Sequence, residues 1–241
     1  MTEATNNVLS VETLRIIVDR TGADYIMVTD IGNAVFNRIE AQYVAPATLQ
    51  AQARVVLSGI PAQIEIFAQD MEQWWRLVGT EWQNMVFLPG FNPRALLQEE
   101  GRGLRAAFGA LDNITYQGIT TLDDGSSVYH LTATADGAEI SWLLLYLVQI
   151  TGQTTVDAYI DTTTRLPLRF VIVQPDTASE NTGPTTWNME FYDFDAEPEL
   201  DAPAGVGVAE STAEAALPPT LDPAAANVTP TLIPLATATG T

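Results

Sequence analysis

His130 is the only histidine of the chain, and there is no cysteine. The zinc sets built from those two residue types therefore cannot form within it. Disulfides and thiol catalysis are excluded with them. His130 lies in SVYHLTA, where strand alternation sets it beside Val128 and opposite Tyr129 and Leu131. The carboxylates pair in sequence as Glu99 with Glu100 and Asp123 with Asp124, in turns or on polar faces. Solvated charge is the ordinary role of such pairs, and acid–base work the exception. The sequence holds no GxSxG elbow, no phosphate-cradling glycine loop and no EF-hand spacing. Trp74, Trp75 and Trp82 cluster, and as large apolar bodies with one polar handle they suit core and rim packing better than ligand contact. These residues point to no enzyme, and they call for no cofactor and no metal. What the chain holds in quantity is apolar surface, whose chemistry is desolvation. An acyl chain taken out of water gains about 0.8 kcal/mol per buried CH₂, with no catalytic residue involved.

The most apolar run is Asp136 to Ile150, DGAEISWLLLYLVQI. Asp136 can cap a helix start, with Glu139 closing a capping box. A helix here is apolar almost all round and must be buried or embedded. At about eleven residues it falls short of the roughly 20 of a bilayer span, so the expectation is an element lying inside a shell of sheet.

That shell reads as strands. Thr48 to Leu57, TLQAQARVVL, alternates Leu49, Ala51, Ala53, Val55 and Leu57 with Gln50, Gln52 and Arg54, the pattern of a half-buried antiparallel strand. Leu14 to Val18, for which a helix from Val11 to Arg20 is the alternative, Ala34 to Val44, Ala62 to Gln69, Gln73 to Val78 and Glu81 to Leu88 complete a meander, with Thr21 to Asn33 a loop. From Asn92 and Pro93 the period turns helical, and Gly101 and Gly103 predict a broken helix. Ile114 to Leu122 and Ser127 to Thr134 form a hairpin through Asp123, Asp124 and Gly125. After the Asp136 helix, Thr154 to Ile160, Leu166 to Val173 and Thr185 to Phe194 close the meander. Nothing alternates in the manner of a parallel sheet.

The chain has 241 residues, 46% of them hydrophobic, and a formal charge of −20 from 30 acids and 10 bases, all ten arginine. Nucleic acid is excluded as a partner for want of a basic face. The amino terminus has no basic region followed by an apolar one, so the chain as given carries no secretion signal, and without cysteine it has no lipobox. Residues 1–10 are expected to be a flexible lead-in. Residues 11–203 are expected to form the folded domain. Residues 204–241, rich in Ala, Thr and Pro, have little to bury and are expected to be a disordered or extended tail.

Four places resemble the bacterial LppX/LprA/LprF/LprG lipoproteins, whose fold is similar to that of the carriers LolA and LolB. They are Ile39–Pro46 leading into TLQAQARVVLSG; Leu88–Leu97, LPGFNPRALL; Val128–Thr132 followed by the second helix; and Tyr159–Asp161 through Leu166–Phe170, with Phe191–Phe194. Arg165 stands where the turn before Leu-Pro often has glycine. The resemblance implies an α+β fold, a strongly curved antiparallel sheet forming an unclosed, LolA-like β-barrel with inserted helices as lid or plug. It also implies non-enzymatic binding or transport of acylated lipid or glycolipid in a hydrophobic cavity at the extracytoplasmic cell envelope. A monomer, contact with a membrane, and an envelope transport protein as partner belong to the same expectation. The cavity candidates are Val55, Ile64, Ile66, Leu97, Leu104, Phe108, Trp142, Leu145 and Leu147, with the inward strand face left open. The alternative is a protein-interaction or sensor domain on the same scaffold, with its core filled.

Overall fold

Short turns between strands of alternating polarity favour pairing of chain neighbours, and this chain follows that rule over most of its length. The computed structural model describes residues 1–29, 32–84, 86, 91–97, 102–144 and 148–207. Its strands are β1 (Thr13–Thr21), β2 (Ile26–Thr29), β3 (Gly32–Val44), β4 (Thr48–Leu57), β5 (Ile60–Gln69), β6 (Glu72–Leu77), β7 (Gln83–Asn84), β8 (Asp112–Thr121), β9 (Ser127–Asp136), β10 (Gln153–Asp161), β11 (Pro167–Gln174) and β12 (Thr185–Tyr192). The helices are α1 (Thr2–Val8), α2 (Arg94–Leu97), α3 (Gly103–Gly109) and α4 (Gly137–Ile140).

Eleven strands form one antiparallel sheet in the order β7-β6-β5-β4-β3-β1-β12-β11-β10-β9-β8, and β2 pairs with β3 off that path. The closing strand β12 inserts beside β1, Arg15 opposite Tyr192 and Thr21 opposite Thr186, so the two meanders meet at the centre of the sheet. Among the described residues the ends, β7 and β8, are not joined. This is the unclosed half-barrel that the sequence predicts, with its helices inserted between β7 and β8 and between β9 and β10.

One face of the sheet is apolar and buried. Leu14, Ile16 and Val18 of β1, Ile39, Ala41 and Tyr43 of β3, Phe170 and Ile172 of β11, and Trp187, Met189 and Phe191 of β12 belong to a single core with Leu104 and Phe108 of α3. The opposite face carries the charges in pairs, among them Arg38 with Asp19 and with Glu40, Arg76 with Glu65, and Arg169 with Glu190. After β12 the chain runs back across this outer face. Gln50 accepts from the Asp201 N–H at 2.7 Å, Asp201 meets Arg76 at 2.5 Å, and Gln69 donates to the Gly207 carbonyl at 3.0 Å.

Four segments differ from expectation. Residues 1–10 contain α1, which buries Ala4 and Val8. The Thr21 to Asn33 loop contains β2. β7 is two residues long, where the alternation predicts a strand from Glu81 to Leu88; Met85 and residues 87–88 lie outside the described residues. The long helix expected from Asp136 is instead α4 followed by a 3₁₀ turn over Ser141–Leu144. Asp136 does cap it, accepting from the Ala138 N–H at 2.9 Å. The helix stops because buried Ser141 ties the chain back on itself. Its hydroxyl donates to the Gly137 carbonyl at 2.7 Å and accepts the Ile150 N–H at 2.8 Å.

Candidate functional site

Strand register decides which side chains share the apolar face. Val55 lies opposite Ala62, Ala53 opposite Ile64 and Ala51 opposite Ile66; on the next pair, Ile66 faces Trp75 and Ile64 faces Leu77. Val55, Ile64, Ile66, Trp75 and Leu77 therefore stand on one face, the one that carries the core. Val55 and Ile66 are buried, Ile64 is half-buried, and Leu77 is exposed. The face thus leads outward from the packed interior to an apolar lip, completed by exposed Ile60.

The inserted helices lie against the middle of the same face. α2 and α3 are the broken helix predicted from the glycines. Asn92 caps the entry by accepting from the Arg94 N–H at 2.9 Å. Gly103 then turns the chain with φ of +61°, and a Cβ there would collide with the carbonyl oxygens of Ala95 and Leu96. That turn aims Leu104, Ala107 and Phe108 at the sheet, all buried. Phe108 stacks on Phe170 at 5.3 Å, and Phe170 meets Phe191 edge-on at 5.8 Å.

Of the nine cavity candidates, Val55, Ile66, Leu97, Leu104 and Phe108 join one hydrophobic cluster, and Ile64 and Trp142 pack against it. Leu145 and Leu147 lie outside the described residues. The tryptophans divide between the two faces. Trp74 meets Phe67 at 5.8 Å on the outer face, and Trp82 joins them there with the Arg76 guanidinium 4.2 Å above its ring. Of Trp74, Trp75 and Trp82 only Trp75 faces inward, where Trp187 also lies, and its buried Nε1–H has no hydrogen-bond partner among the described residues. Leaving a buried donor unsatisfied costs about 1–3 kcal/mol. The phase of EQWWRL, which sets Trp75 with Leu77 and against Trp74, is the sequence signal that could have singled it out.

A second apolar edge lies at the far end of the sheet. Ile114, Tyr116 and Ile119 of β8 are exposed, Ile119 by 62%. Tyr116 faces Leu131 and Ile119 faces Tyr129 across the pairing with β9, which places them on the inner face as well.

The polar groups singled out by sequence lie on the other face. His130 Nε2 is 2.6 Å from Asp157 and its ring stacks on Tyr159 at 4.7 Å. Burial, with Asp157 second, raises the Tyr159 pKa above that of an ordinary phenol. Asp123 and Asp124 line an outer cavity of about 350 Å³ with Arg169, Glu190 and Tyr192. The Ser126 N–H holds the Asp124 carboxyl below the usual range. Glu99 and Glu100 lie outside the described residues. Another outer cavity, of about 420 Å³, is lined by Arg15, Glu40, Gln42, Gln50, Gln52 and Glu199 among others. The first also has Ile17, Leu122, Leu168 and Phe191 in its wall; the second, walled mainly by charged and amide side chains, is too polar to hold an acyl chain. Among the described residues no group of three or more His, Asp or Glu side chains could hold a metal ion, and no helix is long and apolar enough to cross a membrane.

The fold has known counterparts. The family model described as LppX_LprAFG lipoprotein matches residues 2–198. Among solved structures, LprF from Mycobacterium bovis superposes with a TM-score of 0.58 at 15% identity, covering 85% of this chain and 95% of that one. The Mycobacterium tuberculosis lipoprotein LppX gives 0.53 at 14% identity, covering 83% and 95%. No curated protein matches in sequence.

Proposed function

We propose that this chain, which belongs to the LppX_LprAFG lipoprotein family, is a non-enzymatic binder and carrier of acylated lipid or glycolipid at the extracytoplasmic cell envelope. The observation that carries the reading is the apolar inner face, continuous from buried Val55 and Ile66 through half-buried Ile64 to exposed Leu77. Such a face can take up a hydrocarbon chain at one end while the other end stays anchored in the core. Residues 11–203 serve as the lipid-binding domain, with Ile64 and Ile66 on the proposed path and Leu97, Leu104, Phe108 and Trp142 proposed to wall it from the helices and the turn after α4. Contact with a membrane or with an envelope transport protein would supply and receive the cargo, and the carrier would act as a monomer.

Native mass spectrometry before and after organic extraction tests this, with Ile64→Glu as the comparison. Wild-type protein is expected to carry acyl lipid, and the variant to lose it while keeping its circular dichroism spectrum. A wild-type protein that carries no lipid and takes up no added short-chain phosphatidylcholine overturns the carrier reading. A second reading, an interaction or sensor domain, is favoured by one observation: α3 fills the middle of the face through the Phe108–Phe170 stack. It predicts that lipid is refused and a protein partner retained.

A further inference from the structure

Trp75 stands where the apolar inner face leaves the core, opposite Ile66 and two residues along β6 from Leu77. Its indole N–H is enclosed and, among the described residues, donates to no acceptor. Buried indole donors in folded proteins ordinarily find an acceptor, and an unpaired one marks a position where a partner belongs. The strand neighbours on this face, Ile64, Ile66 and Leu77, are hydrocarbon and can accept nothing.

We propose that Trp75 is the polar contact of the lipid site, its N–H donating to the carbonyl oxygen of an ester- or amide-linked acyl chain whose hydrocarbon lies along Ile64, Ile66 and Leu77. This rests on the carrier reading and narrows its ligand. A carbonyl is a strong acceptor, an ether oxygen a weaker one, and an alkane none. A free carboxylate would have to shed its hydration in apolar surroundings on a chain of charge −20. The site therefore selects neutral acyl linkages over alkyl ethers and over free fatty acids. Trp82 supplies the internal comparison. Its Nε1–H is also unpaired, but its ring sits on the outer face beneath the Arg76 guanidinium, away from this path.

The test is binding of a short-chain diacyl phosphatidylcholine and of its dialkyl ether counterpart of equal chain length. Wild-type protein is expected to prefer the ester about fivefold, the worth of one neutral hydrogen bond. In Trp75→Phe the preference falls to about one, and in Trp82→Phe it persists. Should Trp75→Phe fail to fold, the wild-type protein decides alone: the Trp75 indole proton resonance shifts downfield with the ester and not with the ether. Equal affinity for both lipids with an unmoved indole resonance overturns the assignment and leaves the carrier reading standing. Refusal of both lipids overturns the carrier reading, and the role of Trp75 with it.

Discussion

Asp161 shows how much one side chain can hold in place. It ends β10 and turns its carboxylate over the hairpin that follows, accepting from the N–H groups of Thr163 at 2.8 Å and Thr164 at 2.6 Å and from the Thr164 hydroxyl at 3.0 Å. Burial pushes its pKa up, but these bonds and the charge of Arg165 outweigh it, and the group settles below the ordinary carboxylate range. A lowered folded-state pKa means that the unfolded chain takes up the proton first as the solution is acidified. The contribution to stability is therefore whole above the unfolded value and is lost as pH falls through the folded one. Asp161→Asn is expected to be less stable than wild type at pH 7 by about 1 kcal/mol in urea unfolding. The gap should narrow below the usual carboxylate range, and one that stays constant from pH 7 to pH 3 would refute this account. The DTTT spacing makes that cap legible in sequence, because its partners are two and three residues away. The His130–Asp157 pair and the unpaired Trp75 donor are not legible in that way. The first depends on strand register, and the second on which acceptors the described residues bring near the indole in the fold.

At the scale of elements, α3 separates a plug from a lid. Seven residues do not make a stable helix alone, so α3 persists through Leu104, Ala107 and Phe108 set against the sheet. If it is a plug, Phe108→Ala removes a ring stacked on Phe170 and should cost about 3–4 kcal/mol in urea unfolding. A loss below about 1 kcal/mol would mean that α3 spends its time off the sheet, as a lid does. The same contrast explains what can be read in advance. β4 is legible to its ends, because a strand buried on one side writes its faces into alternate residues. Its neighbours follow by phase, which is how Val55, Ile64 and Ile66 can be assigned to a common face. The run from Asp136 is apolar on every side and carries no period, so it predicts too long a helix; the Ser141 tie to Ile150 that stops it spans nine residues. β2 and α1 are short segments held by pairing and packing, and their own sequence gives little sign of either.

For the whole molecule, charge matters most. Ten arginines face 30 acids, and the pairs they form lie mainly on the outer face of the sheet, where an exposed pair contributes about 0–1 kcal/mol. A formal charge of −20 on one chain is a repulsion shared by every acid that no arginine reaches. Salt weakens both effects, and the larger should decide the sign. The Debye length shrinks from about 30 Å at 0.01 M to about 3 Å at 1 M, so long-range repulsion is lost well before contact pairs are. Raising NaCl from 10 mM to 0.5 M is therefore expected to raise the melting temperature, by roughly 2–4 °C for each 1 kcal/mol of repulsion relieved. A fall in melting temperature would show that the outer-face pairs outweigh the repulsion. The same field acts on any membrane the protein meets. At low salt, anionic vesicles should bind it less than neutral ones, and the difference should close as salt is added. If anionic vesicles bound better at 10 mM, the contact would have to run through a local cluster of arginines, and the apolar lips at Leu77 and Ile119 would not be the approaching surface.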